Sequence, residues 1–302
     1  MQTTHARKPF PTHIVVFLAP AVIIYTIFMV YPLLNSLRLS FFSVSDQKVE
    51  TYIGLQNYIT LLTNPDNSKS FWNAFQNNLV FFAIHMLVQN PIGLLLAALL
   101  ASGGWGRRFY RTALFMPTVL SVVIIGFIWQ LILNPLWGVA ESMLKFVHLG
   151  FLFKPWLGLP ATALTTVSLI SVWQFVGIPM ILFYTALIGI PDELVEAAHV
   201  DGASGWQRFR HVTMPMISPT TFFLFLLQTI GAFQLFTEPF VMTRGGPAQS
   251  SMPVVQYIYE NAFSYMRMGK ASAIAWFLFI FIFGFTLVQN LMQRRWVYYE
   301  TE

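Results

Sequence analysis

The chain has 302 residues, 56% of them hydrophobic and only 10% charged, with 30 Phe, 9 Trp and a mean hydropathy of +0.62. That balance excludes an ordinary soluble domain and points to a membrane protein, while the absence of cysteine removes disulfides, thiolate metal sites and cysteine nucleophiles. A formal charge of +5, with no basic run longer than two residues, excludes a nucleic-acid-binding surface.

A bilayer core of ~30 Å requires ~20 mostly apolar residues in a helix. Six stretches meet that length: residues 14–34, 79–101, 112–133, 163–189, 219–240 and 271–292. The first is followed by YPLLNSLRLSFF, which has no small-residue cleavage site, so it reads as a retained span and not a signal peptide. Prolines and glycines recur inside the spans, among them Pro91, Gly93, Pro117, Gly177, Pro179 and Gly231. Each proline frees a carbonyl, which a neighbouring helix or a protein-lined cavity can accommodate and lipid cannot. Outside the spans, residues 137–150 and 253–268 read as interfacial helices with aromatic anchors.

Lys and Arg near the spans set the orientation. With a cytoplasmic N-terminus, the inner segments hold Arg7, Lys8, Arg208, Arg210 and the pairs Arg107/Arg108 and Arg294/Arg295 at helix ends, which are the shorter and more densely charged segments. Both termini are therefore expected in the cytoplasm, residues 1–13 and 293–302 included.

Within the spans the only acidic, basic or histidine side chains are His85 and Glu238, the latter near an outer helix end. An ion-coupled carrier generally keeps a charge at mid-membrane despite a cost of ~2.5–3.5 kcal/mol. No phosphate loop occurs either: the one Gly-Lys pair, Gly269-Lys270, is followed by Ala271. The pattern predicts no catalytic residue and no metal site, and any uphill transport must draw on another polypeptide.

Residues 189–218 interrupt the apolar sequence with polar, helix-forming chain. Pro191 suits a first helical position, Asp192 and Glu193 oppose the helix dipole, and Gly202 suits a left-handed helix end. Ser204 and Gln207 then form an S-x-x-Q capping box opening a second helix, whose Trp206, Phe209 and Thr213 share a face, with Pro215 and Pro219 bounding the return to the membrane. The expected product is two short helices meeting at a glycine corner. The first carries Asp192, Glu193, Glu196 and Asp201 with no Lys or Arg, which an anionic leaflet repels, so a protein partner suits it better than lipid.

Residues 196–215, EAAHVDGASGWQRFRHVTMP, match the EAA loop of permease subunits of binding-protein-dependent ATP-binding-cassette importers: E-A-A, three residues, G, nine residues, then I-x-L-P, with Val212 and Met214 as conservative departures. The runs RRFYRTALFMPTVLSVVIIGFIWQLILNPLWG and TRGGPAQSSMPVVQYIYENAFSYMRMGKASAIAW resemble the carbohydrate-importing branch, the maltose-type and glycerol-phosphate-type permeases. The resemblance implies an all-α integral membrane protein of the bacterial cytoplasmic (inner) membrane, with six transmembrane helices. A first helix at 14–40 would precede a MetI-like permease core at 73–292. It implies as partners a second permease subunit, two ATPase subunits and an external solute-binding protein, with ATP and Mg bound by the ATPase and no cofactor in this chain. By the same resemblance Glu193, Glu196, Ala197, Ala198, Asp201, Gly202 and Pro215 couple the permease to the ATPase.

A sugar offers hydroxyls and apolar ring faces, so aromatic–amide pairs within the spans are the candidate pathway: Trp129, Gln130, Trp173, Gln174, Gln228, Phe233 and Gln234, with Gln89 and Asn90 as further candidates. Single amides serve equally as links between helices. Gln228 and Gln234 fall near opposite faces of an ideal helix, so both line one path only if Gly231 bends it. No Lys or Arg enters the spans, which favours a neutral sugar over glycerol phosphate. Residues 253–268, which follow the turn Arg244-Gly245-Gly246-Pro247, form the candidate rim for the binding protein.

Overall fold

The computed structural model describes residues 12–44, 50–104 and 106–298; Arg7, Lys8, Lys48 and the last four residues lie outside the described residues. In chain order its helices are α1 (Val16–Leu39), α2 (Gln56–Thr63), α3 (Ser68–Ala101), α4 (Arg107–Val119), α5 (Val122–Ile132), α6 (Val139–Phe146), α7 (Ala163–Phe175), α8 (Gly177–Ile188), α9 (Asp192–Val200), α10 (Gly205–Met216), α11 (Ser218–Phe233), α12 (Thr237–Met242), α13 (Val254–Tyr259) and α14 (Met268–Gln293). Three of these, α1, α3 and α14, are long and apolar enough to cross a bilayer, and the bent pairs α4–α5, α7–α8 and α10–α11 raise the number to six. A small antiparallel hairpin, β1 (Phe42–Val44) with β2 (Glu50–Tyr52), links α1 to α2 with Phe42 opposite Tyr52. Three-residue strands carry too little alternation to be seen in hydropathy, and an Arg38–Glu50 ion pair supports this one.

Three expectations need correction. The stretch 112–133 is not one rod: α4 and α5 meet at 94°. Thr118 Oγ1 donates to the Gln174 carbonyl at 2.9 Å and Gln174 Nε2 donates to the Leu120 carbonyl at 3.1 Å, so the Gln174 amide binds the backbone that leaves α4 and the Thr118 hydroxyl ties the end of α4 to α7. The stretch 219–240 ends early, because α11 stops at Phe233 and Thr237–Met242 turns away to pack on α5 as α12. Residues 253–268 do not simply lie on an interface: Val254 and Tyr257 are buried against Phe71, Phe75, Ile274 and Leu278, while Phe263 and Tyr265 stay exposed. By contrast α6 keeps Met143 and Phe146 exposed, as an interfacial helix should.

The remaining bend, 45° between α7 and α8, follows from Pro179. Its missing N–H leaves the Phe175 carbonyl without its helical donor, and Gln89 Nε2 supplies one at 2.8 Å. Gln89 closes a π-helical turn, His85–Gln89, within α3. Close approach makes this reach feasible: a Cβ on Gly93 would stand 2.9 Å from Pro179 Cβ, so only glycine lets α3 and α8 touch there. The second core, Ala97, Leu100, Met180, Phe183, Ile217 and Leu224, packs around that contact.

Polar ties hold the end of the bundle opposite the 189–218 segment. Asn78 donates to the Ala232 carbonyl at 2.5 Å and accepts from the Val254 N–H at 2.9 Å, joining α3, α11 and α13. Asn73 and Asn77 donate to the Gln249 carbonyl at 2.7 and 3.2 Å and hold the loop that contains Gly246 and Pro247. These asparagines explain why their helix, which begins at Pro65, starts well before its apolar run: it continues through the polar region to reach that loop.

Candidate functional site

The first site is the corner formed by α9 and α10. Gly202 has φ +74°, and a Schellman pattern closes α9: the Gly202 N–H donates to His199 O and the Ala203 N–H to Ala198 O, each at 3.0 Å. The capping box follows at once, with Ser204 N–H donating to Gln207 Oε1 at 2.7 Å and Gln207 N–H to Ser204 Oγ at 3.3 Å. Two helix ends are thereby satisfied within residues 198–207, so the corner angle is fixed locally and needs no support from the spans. Between the arms lies a cavity of about 330 Å³ lined by Ala198, Asp201, Gly202, Gln207, Arg208 and His211.

Neither arm buries a side chain: Glu193, Glu196 and Ala197 of α9 are exposed, Ala198 is half-buried, and Val200 is 87% exposed. Trp206 is 68% exposed and stacks on Phe209 with ring centroids 5.5 Å apart. Apolar groups left uncovered on a rigid polar projection mark an interaction surface. At its root α10 contains a π-helical turn, Phe209–Thr213, and then bends 63° into α11. Pro219 cannot bond the Pro215 carbonyl, and Ser218 Oγ donates to it instead at 2.6 Å.

The second site is a cavity of about 450 Å³ inside the helix bundle, lined by α3, α5, α7, α8, α11 and α12. Its polar lining consists of His85, Gln89, Ser171, Gln228, Gln234, Thr237 and Glu238, set among Phe81, Phe175, Leu227 and Phe236. Gln228 and Asn90 pair through both amides, at 2.8 and 2.9 Å, and Gln228 also donates to Gln89 Oε1 at 3.3 Å. His85 Nε2 lies 3.2 Å from Ser171 Oγ, and its Nδ1 lies 2.9 Å from the Phe81 carbonyl, which can only accept; Nδ1 therefore bears hydrogen. The lining holds no Lys or Arg.

The sequence-derived pathway residues separate in space. Gln228 and Gln234 do share the cavity, not by a bend at Gly231 but because α11 ends at Phe233 and frees Gln234 from helical periodicity. Phe233 is instead 1% exposed, packed between Phe75 and Phe281, and lines nothing. Gln130 donates to the Met242 carbonyl at 3.0 Å and satisfies the end of α12, while Gln174 is occupied at the α4–α5 break. Trp129 and Trp173, with ring centroids 5.6 Å apart, line a different cavity of about 560 Å³ with Trp156 and Thr165. Trp173 points away from Ser171, two positions earlier on α7, so that cavity does not open from the same helix face. His85, Ser171, Thr237 and Glu238 were missed as lining residues; the rarity of ionisable groups in the spans was the signal for two of them.

A profile of the family described as "Binding-protein-dependent transport system inner membrane component" matches residues 89–298, which include the corner and all of the cavity lining except Phe81 and His85. The chain belongs to this family. Among its relatives, the probable ABC transporter permease protein YurN of Bacillus subtilis is 36% identical, over 92% of this chain and 94% of its own length. The arabinooligosaccharides transport system permease protein AraP of the same organism is 32% identical, over 90% of this chain and 85% of its own length. In three dimensions the fold matches a permease chain of a bacterial ABC transporter involved in the import of the acidic polysaccharide alginate, with a TM-score of 0.80, 24% identity, and coverage of 94% of this chain and 96% of that one. The permease fold expected from the EAA loop is thus the fold observed, and the chain is a membrane-spanning subunit of an ABC transporter.

Proposed function

We propose that this permease forms, with a second permease subunit, the path by which an ATP-driven importer carries a neutral oligosaccharide delivered by an external binding protein. ATP and Mg are bound by two separate ATPase subunits, into which the α9–α10 corner docks. Both termini and the corner then lie in the cytoplasm, and the loop held by Asn73 and Asn77 faces the binding protein. The observation that carries the reading is the corner: a locally fixed helical projection with no buried side chain and with the EAA pattern at its expected spacing. Glu193, Glu196, Ala197, Ala198 and Asp201 form its docking arm, Gly202 sets its angle, and Pro215 marks its root.

Amides and one acid among aromatic faces suit a hydroxyl-rich cargo. The lining offers no Lys or Arg to meet a phosphate, which disfavours glycerol phosphate. AraP is named for an oligosaccharide, which agrees with this cargo class. The test is uptake by proteoliposomes containing the complete importer, offered labelled lactose, maltotriose, arabinotriose and glycerol 3-phosphate. Import of at least one neutral sugar, only with ATP and the ATPase subunits present, is the expected result; concentration of any solute by the permease alone would refute it. Gly202→Val should leave the complex assembled and hydrolysing ATP but stop uptake, because a β-branched residue resists the left-handed corner.

A further inference from the structure

Beyond α14 the chain turns back on itself. The Trp296 and Val297 N–H groups donate to the Gln293 carbonyl at 3.1 and 2.9 Å, and this turn sends residues 296–298 across to the root of the corner. There the Trp296 ring meets Phe222 edge-on at 6.0 Å, and the Tyr298 N–H donates to Ser218 Oγ at 2.9 Å. Ser218 is the residue that satisfies the carbonyl stranded by Pro219, so the tail is bonded to the hydroxyl that stabilises the 63° bend. Tyr298 also lines a cavity of about 270 Å³ with Gly189, Ile190, Met216 and Thr220. Gly189 and Ile190 lie where α8 passes into α9; Met216 and Thr220 lie where α10 passes into α11. The tail is therefore bonded to one root of the corner and shares a cavity wall with the other.

We infer that Trp296 and Tyr298 are positioning residues for energy coupling, forming a strut that carries displacement of the corner's roots into α14. The inference rests on the coupling role proposed above for the corner. A projection with no buried side chain can pass force to the spans only through its roots, and a bend between α10 and α11 alone would let the corner swing freely. A strut fixed at one end to Ser218 and Phe222, and at the other to the end of α14, turns that swing into movement of the last span. From α14 the displacement reaches α11 and α1: Gln289 Nε2 donates to Thr229 Oγ1 of α11 at 2.7 Å, and Trp276 Nε1 donates to Ser36 Oγ of α1 at 3.2 Å. Coupling of this kind requires a continuous set of packed and bonded groups between the two elements, and the tail supplies it.

The complete importer in proteoliposomes tests this, read as sugar imported per ATP hydrolysed with labelled lactose, maltotriose and arabinotriose. Trp296→Ala should lower that ratio by about fivefold while hydrolysis continues, a loss on the scale of a typical coupling energy, and Trp296→Phe should preserve it. In the Trp296→Ala background, Thr220→Cys with Tyr298→Cys re-ties the strut as a disulfide in a chain that has no native cysteine. Oxidation should restore the ratio and a reductant should remove it again, which a loss of folding would not do. If the importer moves none of the three sugars, stimulation of ATP hydrolysis by the binding protein is the readout, lost in Trp296→Ala and restored by the disulfide. An unchanged ratio or stimulation in Trp296→Ala, failure of the cysteine pair to cross-link, or cross-linking without restoration overturns the strut. Normal import by Gly202→Val would instead overturn the coupling role of the corner itself.

Discussion

Gly202 holds the corner by one dihedral angle. A Cβ there would meet nothing within 4 Å, so substitution costs only what the left-handed backbone costs an L-residue, about 1–2 kcal/mol. Gly202→Asn, which visits that region readily, should keep most of the uptake that Gly202→Val loses, measured at equal amounts of assembled complex. Such a position is legible in sequence because all of its causes lie within residues 198–207. Gln89 is the opposite case. Its bond to Phe175 spans 86 positions and exists because Pro179, on another helix, lacks an N–H. Gln89→Leu should strand that carbonyl and cost about 1–3 kcal/mol, seen as a lower unfolding midpoint of the purified permease in detergent.

At the scale of helices, apolar length identified the spans and could not give their shape. A run of twenty-odd apolar residues reads the same whether straight or folded through a right angle, and the α4–α5 break depends on Gln174, which belongs to a later helix. Removing that amide as Gln174→Leu should destabilise the permease by about 1–3 kcal/mol, since the Leu120 carbonyl is left in apolar surroundings. Gln130→Leu should cost less, because Gln130 is only half-buried whereas Gln174 is fully buried. Comparing the two unfolding midpoints separates a tie that shapes a span from one that trims a helix end. The premature end of α11 escaped the hydropathy pattern for a related reason: Leu235, Phe236 and Phe240 are as apolar as the helix before them, yet they serve α12 and the cavity wall.

For the whole molecule, the excess of Arg at inner helix ends was a weak signal, but it makes a definite claim. Met143 on α6 and Trp206 on α10 are both well exposed and must lie on opposite sides of the bilayer if the termini are cytoplasmic. In a chain without native cysteine, Met143→Cys should react with an impermeant maleimide from outside and Trp206→Cys only after the membrane is opened. The reverse pattern would invert the topology.

The isolation of α1 has a consequence for how the protein is made. None of its apolar stretch is buried by the rest of the chain, and its hydrogen bond to α14 joins residues 240 positions apart. At about 5–20 residues per second, the ribosome needs on the order of 10–50 s to produce that partner after Ser36 emerges. Throughout that interval the leading span must persist as a lone helix solvated by acyl chains, and its almost unbroken greasy surface equips it for the wait.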